Sequence, residues 1–142
     1  VTRIVCLGDL MVDVLALLPA PLAVGSDTPA PIASYGGGAA ANVAAWAVAA
    51  GADASFVGRV GDDPLGRQAV DELTTAGVDA RVTVDPGRPT GTVIVLVDPA
   101  GERTMIPSPG ANDAPLDLAA LPATADWLYV SGYALLNAGS RP

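Results

Sequence analysis

Asp13, three consecutive glycines at positions 36–38, and Asn42 are the residues of this chain best suited to grip a small polar molecule. A carboxylate accepts charge-assisted hydrogen bonds from two hydroxyl groups at once, and a carboxamide offers donors and an acceptor. Glycine, which carries no Cβ, lets a ligand approach the main chain closely. Asp13 interrupts an apolar strand at a desolvation cost, and Asn42 is a poorer helix former than the alanines around it. Asp13, Gly37, Gly38 and Asn42 therefore read as a hydroxyl-binding corner.

Two other readings of the glycines stay open. Gly36, Gly38 and Ala41 satisfy the spacing G-x-G-x-x-A, with Asp62 as a ribose-binding acid, which describes a dinucleotide loop for NAD. Against it, the stretch 31–35 before the glycines is short and follows a proline-rich loop. In the other reading, the glycines only allow close packing between a strand and a helix.

The chain contains no lysine and no histidine. A P-loop lysine, a Schiff base, a Ser-His-Asp or Cys-His arrangement and a His-ligated zinc are thereby excluded within it. What remains is the chemistry of carboxylates, amides, arginine and backbone, and no metal site is expected. Cys6, in the apolar run 4–7, reads as a small buried hydrophobe; with no second cysteine to pair with, a reducing cytoplasm is the expected setting. The net charge of −8 excludes nucleic acid as a partner, because binding phosphates needs a concentrated cationic face. Asp9 and Asp13 interrupt any signal-peptide core, and no apolar run approaches the roughly 20 residues that span a bilayer, so no membrane partner is expected.

With 142 residues, 51% hydrophobic and 15% charged, the chain is expected to form one globular domain. Residues 4–7 read as a strand buried on both faces of a parallel sheet, and 12–17 as a second extended piece ending before Pro19. A loop over 20–32 precedes the glycines, and the alanine-rich stretch 40–50 reads as a helix closed by Gly51. Residues 54–57 form the next expected strand. Asp63 as N-cap and Pro64 at the first helical position start a helix that ends at Gly77. Its Leu65, Val70 and Leu73 face the core, while Arg67, Gln68, Asp71 and Glu72 are left to solvent. Residues 92–97 and 102–106 pair as a hairpin around the turn 98–101. A last strand over 127–131 leads into the beginning of a helix. Because such a strand normally feeds a helix of ten or more residues, the chain reads as the front part of a longer protein.

Gly37, Gly38, Asn42, Ala44, Gly51 and Gly61, with Val60-Gly61-Asp62-Asp63-Pro64-Leu65-Gly66, fall at the spacing of a known signature. The chain resembles the ribokinase-like sugar kinases, the PfkB family. The resemblance continues through 6–9 with Asp13, through 91–93 and 101–104, through 109–112 and through 126–132, and so covers essentially the whole chain.

That resemblance implies an α/β fold: a ribokinase-like three-layer α/β/α sandwich with a small β-sheet lid, incomplete at the C-terminus. Residues 1–142 would be the N-terminal part of a single kinase domain, with lid strands at about 12–18, 30–36 and 91–107. It implies ATP-dependent phosphorylation of a sugar or sugar-like hydroxyl, with ATP and Mg2+ bound mainly by the part that is missing. Asp13, Gly37, Gly38 and Asn42 would bind the acceptor, and Asp9 is a further candidate whose alternative is a strand-end turn. The family's glycine-rich segment with its catalytic aspartate does not occur, so no catalytic residue is expected here and this segment alone should not turn over. Asp62 and Asp63 read as turn and N-cap residues rather than as a base. Met11 and Ala39 stand where ribokinase itself has asparagine and lysine, which leaves the acceptor open among sugars and nucleosides. The alternatives are a nucleoside kinase of the same family and a non-catalytic sugar-binding or dimerisation module, and a homodimer paired through the lid is expected in either setting.

Overall fold

In chain order the elements are β1 (Arg3–Leu7), β2 (Met11–Leu17), β3 (Ile32–Gly37), α1 (Ala39–Ala49), β4 (Asp53–Gly61), α2 (Pro64–Thr75), β5 (Asp79–Asp85), β6 (Gly91–Val97), β7 (Arg103–Ser108), β8 (Trp127–Val130) and α3 (Gly132–Leu136). They are taken from a computed structural model, which describes residues 1–140. Two short 310 turns, Gly110–Asp113 and Leu118–Ala120, lie between β7 and β8.

The apolar run of β1 lies inside a parallel sheet of order β5-β4-β1-β8, where both of its faces are covered. Both long helices pack on one face of this sheet. Ala40, Ala41 and Ala44 of α1 and Ala69 and Leu73 of α2 share a core with Cys6 and Phe56. The small side chains of α1 let it approach the sheet closely, which is why an alanine-rich segment is buried here. Arg59 points to the other face, opposite to Phe56 and Val60, and donates to the carbonyl of Pro115 from Nε and Nη2. The stretch around the 310 turns therefore crosses the face that α1 and α2 leave open.

A second sheet has the order β3-β2-β6-β7. β2 and β6 run parallel, with Asp13 opposite Val93, while β3 and β7 flank them antiparallel. The β6–β7 hairpin turns at Asp98, whose Oδ1 accepts from the amides of Ala100 and Glu102. The chain passes between the two sheets at residues 8–10, at Gly38, over 86–90 and at Pro109.

Three local expectations need correction. β4 extends from Asp53 to Gly61 rather than over 54–57, and β5 was not expected at all. Asp79, Arg81 and Asp85 break the apolar pattern of β5, although Ala80 and Val82 pack against the core. On α2, Leu65 is exposed, and the buried positions are Gly66, Ala69 and Leu73. The reason is close approach: a Cβ on Gly66 would lie 2.5 Å from the carbonyl oxygen of Gly61 and 2.7 Å from Thr90 Oγ1. That contact fixes which side of α2 faces inward and turns Leu65 away. No helix among the described residues is long and apolar enough to cross a membrane.

Candidate functional site

The β1–β2 corner, the start of α1 and the inner face of β6 and β7 enclose a cleft of about 440 Å3. Asp9, Met11 and Asp13 come from the corner, Gly38, Ala39 and Asn42 from the helix start, and Val93, Met105 and Pro107 from the second sheet. Strand alternation explains the composition of the wall. Met11 and Asp13 share one face of β2, and Val93 and Pro107 stand beside Asp13 in register on β6 and β7. The result is an apolar wall with a carboxylate set into it.

Of the four acceptor-binding residues expected from the sequence, Asp13, Gly38 and Asn42 border this cleft. Asp13 is half-buried and Asn42 exposed, and neither side chain is engaged by another described residue. Gly37 has a different position: it is buried and lies behind Asp13 rather than facing the cleft. A Cβ on Gly37 would sit 2.5 Å from Asp13 Oδ1 and 2.6 Å from its Cγ, so the missing side chain makes room for the carboxylate. Gly38 has φ +101°, and a Cβ there would run into the carbonyl oxygen of Asp9. Only glycine satisfies both conditions at that turn.

Gly38 leaves α1 without a capping side chain of its own. Asp9 supplies one from outside the helix, its Oδ2 accepting from the amide of Ala39 at 2.6 Å. The other oxygen of Asp9 is buried and has no partner among the described residues. The two carboxylates are close enough to influence each other. Burial first, and then the negative charge of Asp9, push the Asp13 carboxyl above the ordinary aspartate range.

Two supporting residues escaped the sequence reading. Asn112 accepts from the amide of Leu10 at 3.1 Å and donates to the carbonyls of Leu10 and Pro109 at 2.9 and 3.2 Å. It joins the first and last crossings between the sheets. Glu72, assigned to the solvated face of α2, instead reaches the second sheet, where its Oε2 accepts from the amide of Gly36 at 2.6 Å. Gln68 Nε2 donates to its other oxygen at 2.8 Å. The segment holding Asn112 had been noticed in the sequence, but no local signal revealed its partners; for Glu72 the helix pattern pointed the other way.

Asp62 and Asp63 are turn and cap residues. Asp62 is exposed and pairs loosely with Arg67 at 3.5 Å. Asp63 Oδ1 accepts from Gly66 N at 2.8 Å and from Thr90 Oγ1 at 2.6 Å, and Oδ2 accepts from Thr90 N at 2.8 Å. Burial alone would raise its carboxyl, but the bonds from Thr90 and Gly66, with the Arg67 charge, hold it below the ordinary range. Asp62 does not border the cleft. β3 is an edge strand antiparallel to β2, not the first strand of a parallel strand-helix-strand unit, so the dinucleotide reading is overturned.

Residues 1–142 match the family model described as pfkB family carbohydrate kinase. A fructokinase from Klebsiella pneumoniae is 38% identical over 144 residues, an alignment covering 98% of this chain and 43% of that protein. Among solved structures, a ribokinase from Giardia lamblia has a TM-score of 0.83 at 23% identity, over 94% of this chain and 46% of that one, a likeness of fold. A fructokinase from Vibrio cholerae O395 has a TM-score of 0.65 at 33% identity, over 86% of this chain and 39% of that one. The chain thus spans less than half the length of the relatives it matches.

Proposed function

Because this chain belongs to the pfkB family of carbohydrate kinases, we propose that the intact protein transfers a phosphoryl group from ATP to a hydroxyl of a neutral sugar held in the cleft between the two sheets. The observation that carries this reading is the convergence on one cleft of Asp13, from β2, with Gly38 and Asn42, from the start of α1. Its volume lies within the roughly 300–1,000 Å3 typical of small-molecule sites.

Asp13 accepts hydrogen bonds from two acceptor hydroxyls, and Asn42 adds a donor and an acceptor from the first turn of α1. Met11, Val93 and Pro107 offer an apolar surface to the C–H face of the sugar. The lining contains two aspartates and no arginine. An anionic acceptor would meet like charge there, which is why a neutral polyol is assigned. Fructokinases among the similar proteins make D-fructose the first acceptor to test.

ATP and Mg2+ supply the transferable phosphoryl group and neutralise the charge that develops on it. The described residues do not fit them: no cluster of three metal-ligating side chains occurs, and no cation faces the cleft. No step through the nucleotide, and no catalytic base, is assigned to this chain. Its part is to bind and orient the acceptor.

The test is sugar-dependent ADP formation by the intact protein over a panel of neutral sugars, sugar acids and nucleosides. D-fructose or another neutral sugar should be turned over, and Asp13→Ala should abolish turnover while the circular-dichroism spectrum stays unchanged. Undiminished kinetics in that variant would remove Asp13 from the site. Turnover of a nucleoside but of no sugar would replace the acceptor class.

The proposal extends to a second copy of the chain as partner of the second sheet. Ile94 and Ile106 face each other in register on the side away from the cleft, and Ile32 lies on the same side; all three are exposed. Pairing about a two-fold axis would cover this apolar stripe.

A further inference from the structure

α3 brings two further side chains to the cleft, Tyr133 and Asn137. They stand one helical turn apart, the amide of Asn137 donating to the carbonyl of Tyr133 at 3.0 Å, so both lie on one face of the helix. Tyr133 is 62% exposed and Asn137 is half-buried. Neither the phenol nor the carboxamide is bonded to another described residue. Asn112, on the same cleft, differs in this: its carboxamide is fully engaged by Leu10 and Pro109.

The place of α3 is fixed at both ends. Ser131 is fully buried; its amide donates to the carbonyl of Leu7 at 2.9 Å, and its Oγ accepts from the amide of Tyr133 at 3.3 Å. A Cβ on Gly8 would lie 2.6 Å from the Cβ of Ser131, so α3 starts against the β1–β2 corner. Beyond its other end, the buried Ser140 Oγ donates to the carbonyls of Ala134 and Asn137 at 3.2 and 3.3 Å. A Cβ on Gly139 would run into the carbonyl oxygen of Asp113, beside Asn112. Tyr133 and Asn137 are thus held against the corner that carries Asp13.

We propose that Tyr133 and Asn137 form a second half of the acceptor site and select among neutral sugars. The Tyr133 ring receives C–H groups of the acceptor, and the Asn137 carboxamide bonds a hydroxyl other than those taken by Asp13; this deepens the acceptor-site reading above and rests on it. The chemistry suits an uncharged polyol. An aromatic face is weakly negative and meets the weakly positive C–H groups of a sugar, while an amide matches a hydroxyl as donor or acceptor and adds no charge. A carboxylate alone accepts from any neighbouring pair of hydroxyls. An amide at a second point discriminates against an isomer whose hydroxyl points elsewhere, because its own polar atoms are then left unpaired. In the sequence this stretch was legible only as the beginning of a helix.

The test uses Tyr133→Ala, Tyr133→Phe and Asn137→Ala in the intact protein. The probes are D-fructose, its epimers and its deoxy analogues, followed by calorimetry without nucleotide and by steady-state kinetics. Each alanine variant is expected to weaken D-fructose binding and to raise its KM roughly three- to tenfold, the value of one ring contact or one neutral hydrogen bond. Tyr133→Phe keeps the ring and should stay near wild type. One deoxy analogue should bind the wild type more weakly and lose nothing further in Asn137→Ala. The preference for D-fructose over its epimer at the same carbon should shrink in that variant by the same factor, which a purely structural role would not produce. The KM for ATP and the melting temperature should be unchanged.

The proposal is overturned if either alanine variant binds D-fructose as the wild type does. It is also overturned if all the sugars weaken alike while the melting temperature falls, since α3 then serves only as scaffold. Both outcomes leave sugar binding at Asp13 intact. If instead the wild type binds none of the panel of sugars, the acceptor-site reading itself fails and this inference with it.

Discussion

Asp13 carries its charge in a half-buried position beside a second carboxylate, and both circumstances raise its pKa in the folded chain. A carboxyl whose pKa is raised by folding contributes stability that is complete below the unfolded value and is lost as pH rises through the folded one. At neutral pH its ionisation therefore works against the fold, while in the proposed site it is the form that would accept from the acceptor's hydroxyls. Asp13→Asn is expected to melt a few degrees higher than wild type near neutrality, with the gap closing on acidification and with sugar binding lost. Melting curves between about pH 4 and pH 8 read this directly, and a variant less stable than wild type at neutrality would refute it. In the wild type, the KM for the acceptor should rise as pH falls through the Asp13 value, because hydroxyls donate to the ionised form. Asp13 was legible in the sequence because a carboxylate inside an apolar strand has no folding purpose. Gly37 was legible only as a glycine: that it makes room for Asp13 depends on a pairing across β2 and β3 that no local pattern encodes.

The elements show the same division. The start of α2 could be read from Asp63 and Pro64 because capping is local. That Asp63 also fastens Thr90, 27 residues along and just before β6, could not. Nor could the reach of Glu72, since amphipathic spacing tells which side of a helix is polar but not that a polar residue bonds a neighbouring strand. The Glu72–Gly36 bond is the side-chain tie between α2 and the edge strand whose next residue backs Asp13. It is partly solvated, so its worth is set at about 1 kcal/mol. Glu72→Ala is expected to speed hydrogen exchange at the Gly36 amide and to raise the acceptor KM several-fold, with kcat little changed. Glu72→Gln, which keeps an acceptor oxygen, should recover part of the loss. An unaltered Gly36 amide in the alanine variant would show that the strand is held by its sheet partners alone.

For the molecule as a whole, the buried strand 4–7 was legible as part of a parallel sheet, while the α/β class came with the resemblance, and the division into two sheets rests on the parallel pairing of β2 with β6 across more than 70 residues. Composition cannot reveal that register; the grouping of 12–18, 30–36 and 91–107 came only with the resemblance. The second sheet leaves Ile32, Ile94 and Ile106 exposed on the side away from the cleft. If a second copy covers them, Ile106→Glu should convert a dimer to a monomer in sedimentation equilibrium while leaving D-fructose affinity unchanged, because Met105 and Pro107, its neighbours, face the other way. A wild-type protein that stays monomeric at high concentration would end that part of the proposal.

The crossings between the sheets are stapled to one another. Asn112 ties Leu10 to Pro109, Asp9 ties the first crossing to Ala39 and Ala41, and Ala111 N donates to the carbonyl of Pro89. The crossings thus meet, tied together, along the floor of the cleft. Were one sheet to rock against the other about that floor, the proposed acceptor beside Asp13 would scarcely move, whereas the hairpin tip at Asp98 would sweep the widest arc. In that case gripping the proposed ligand and shutting over it would fall to the same few residues, and a substitution made there to change the acceptor would alter any closing motion as well.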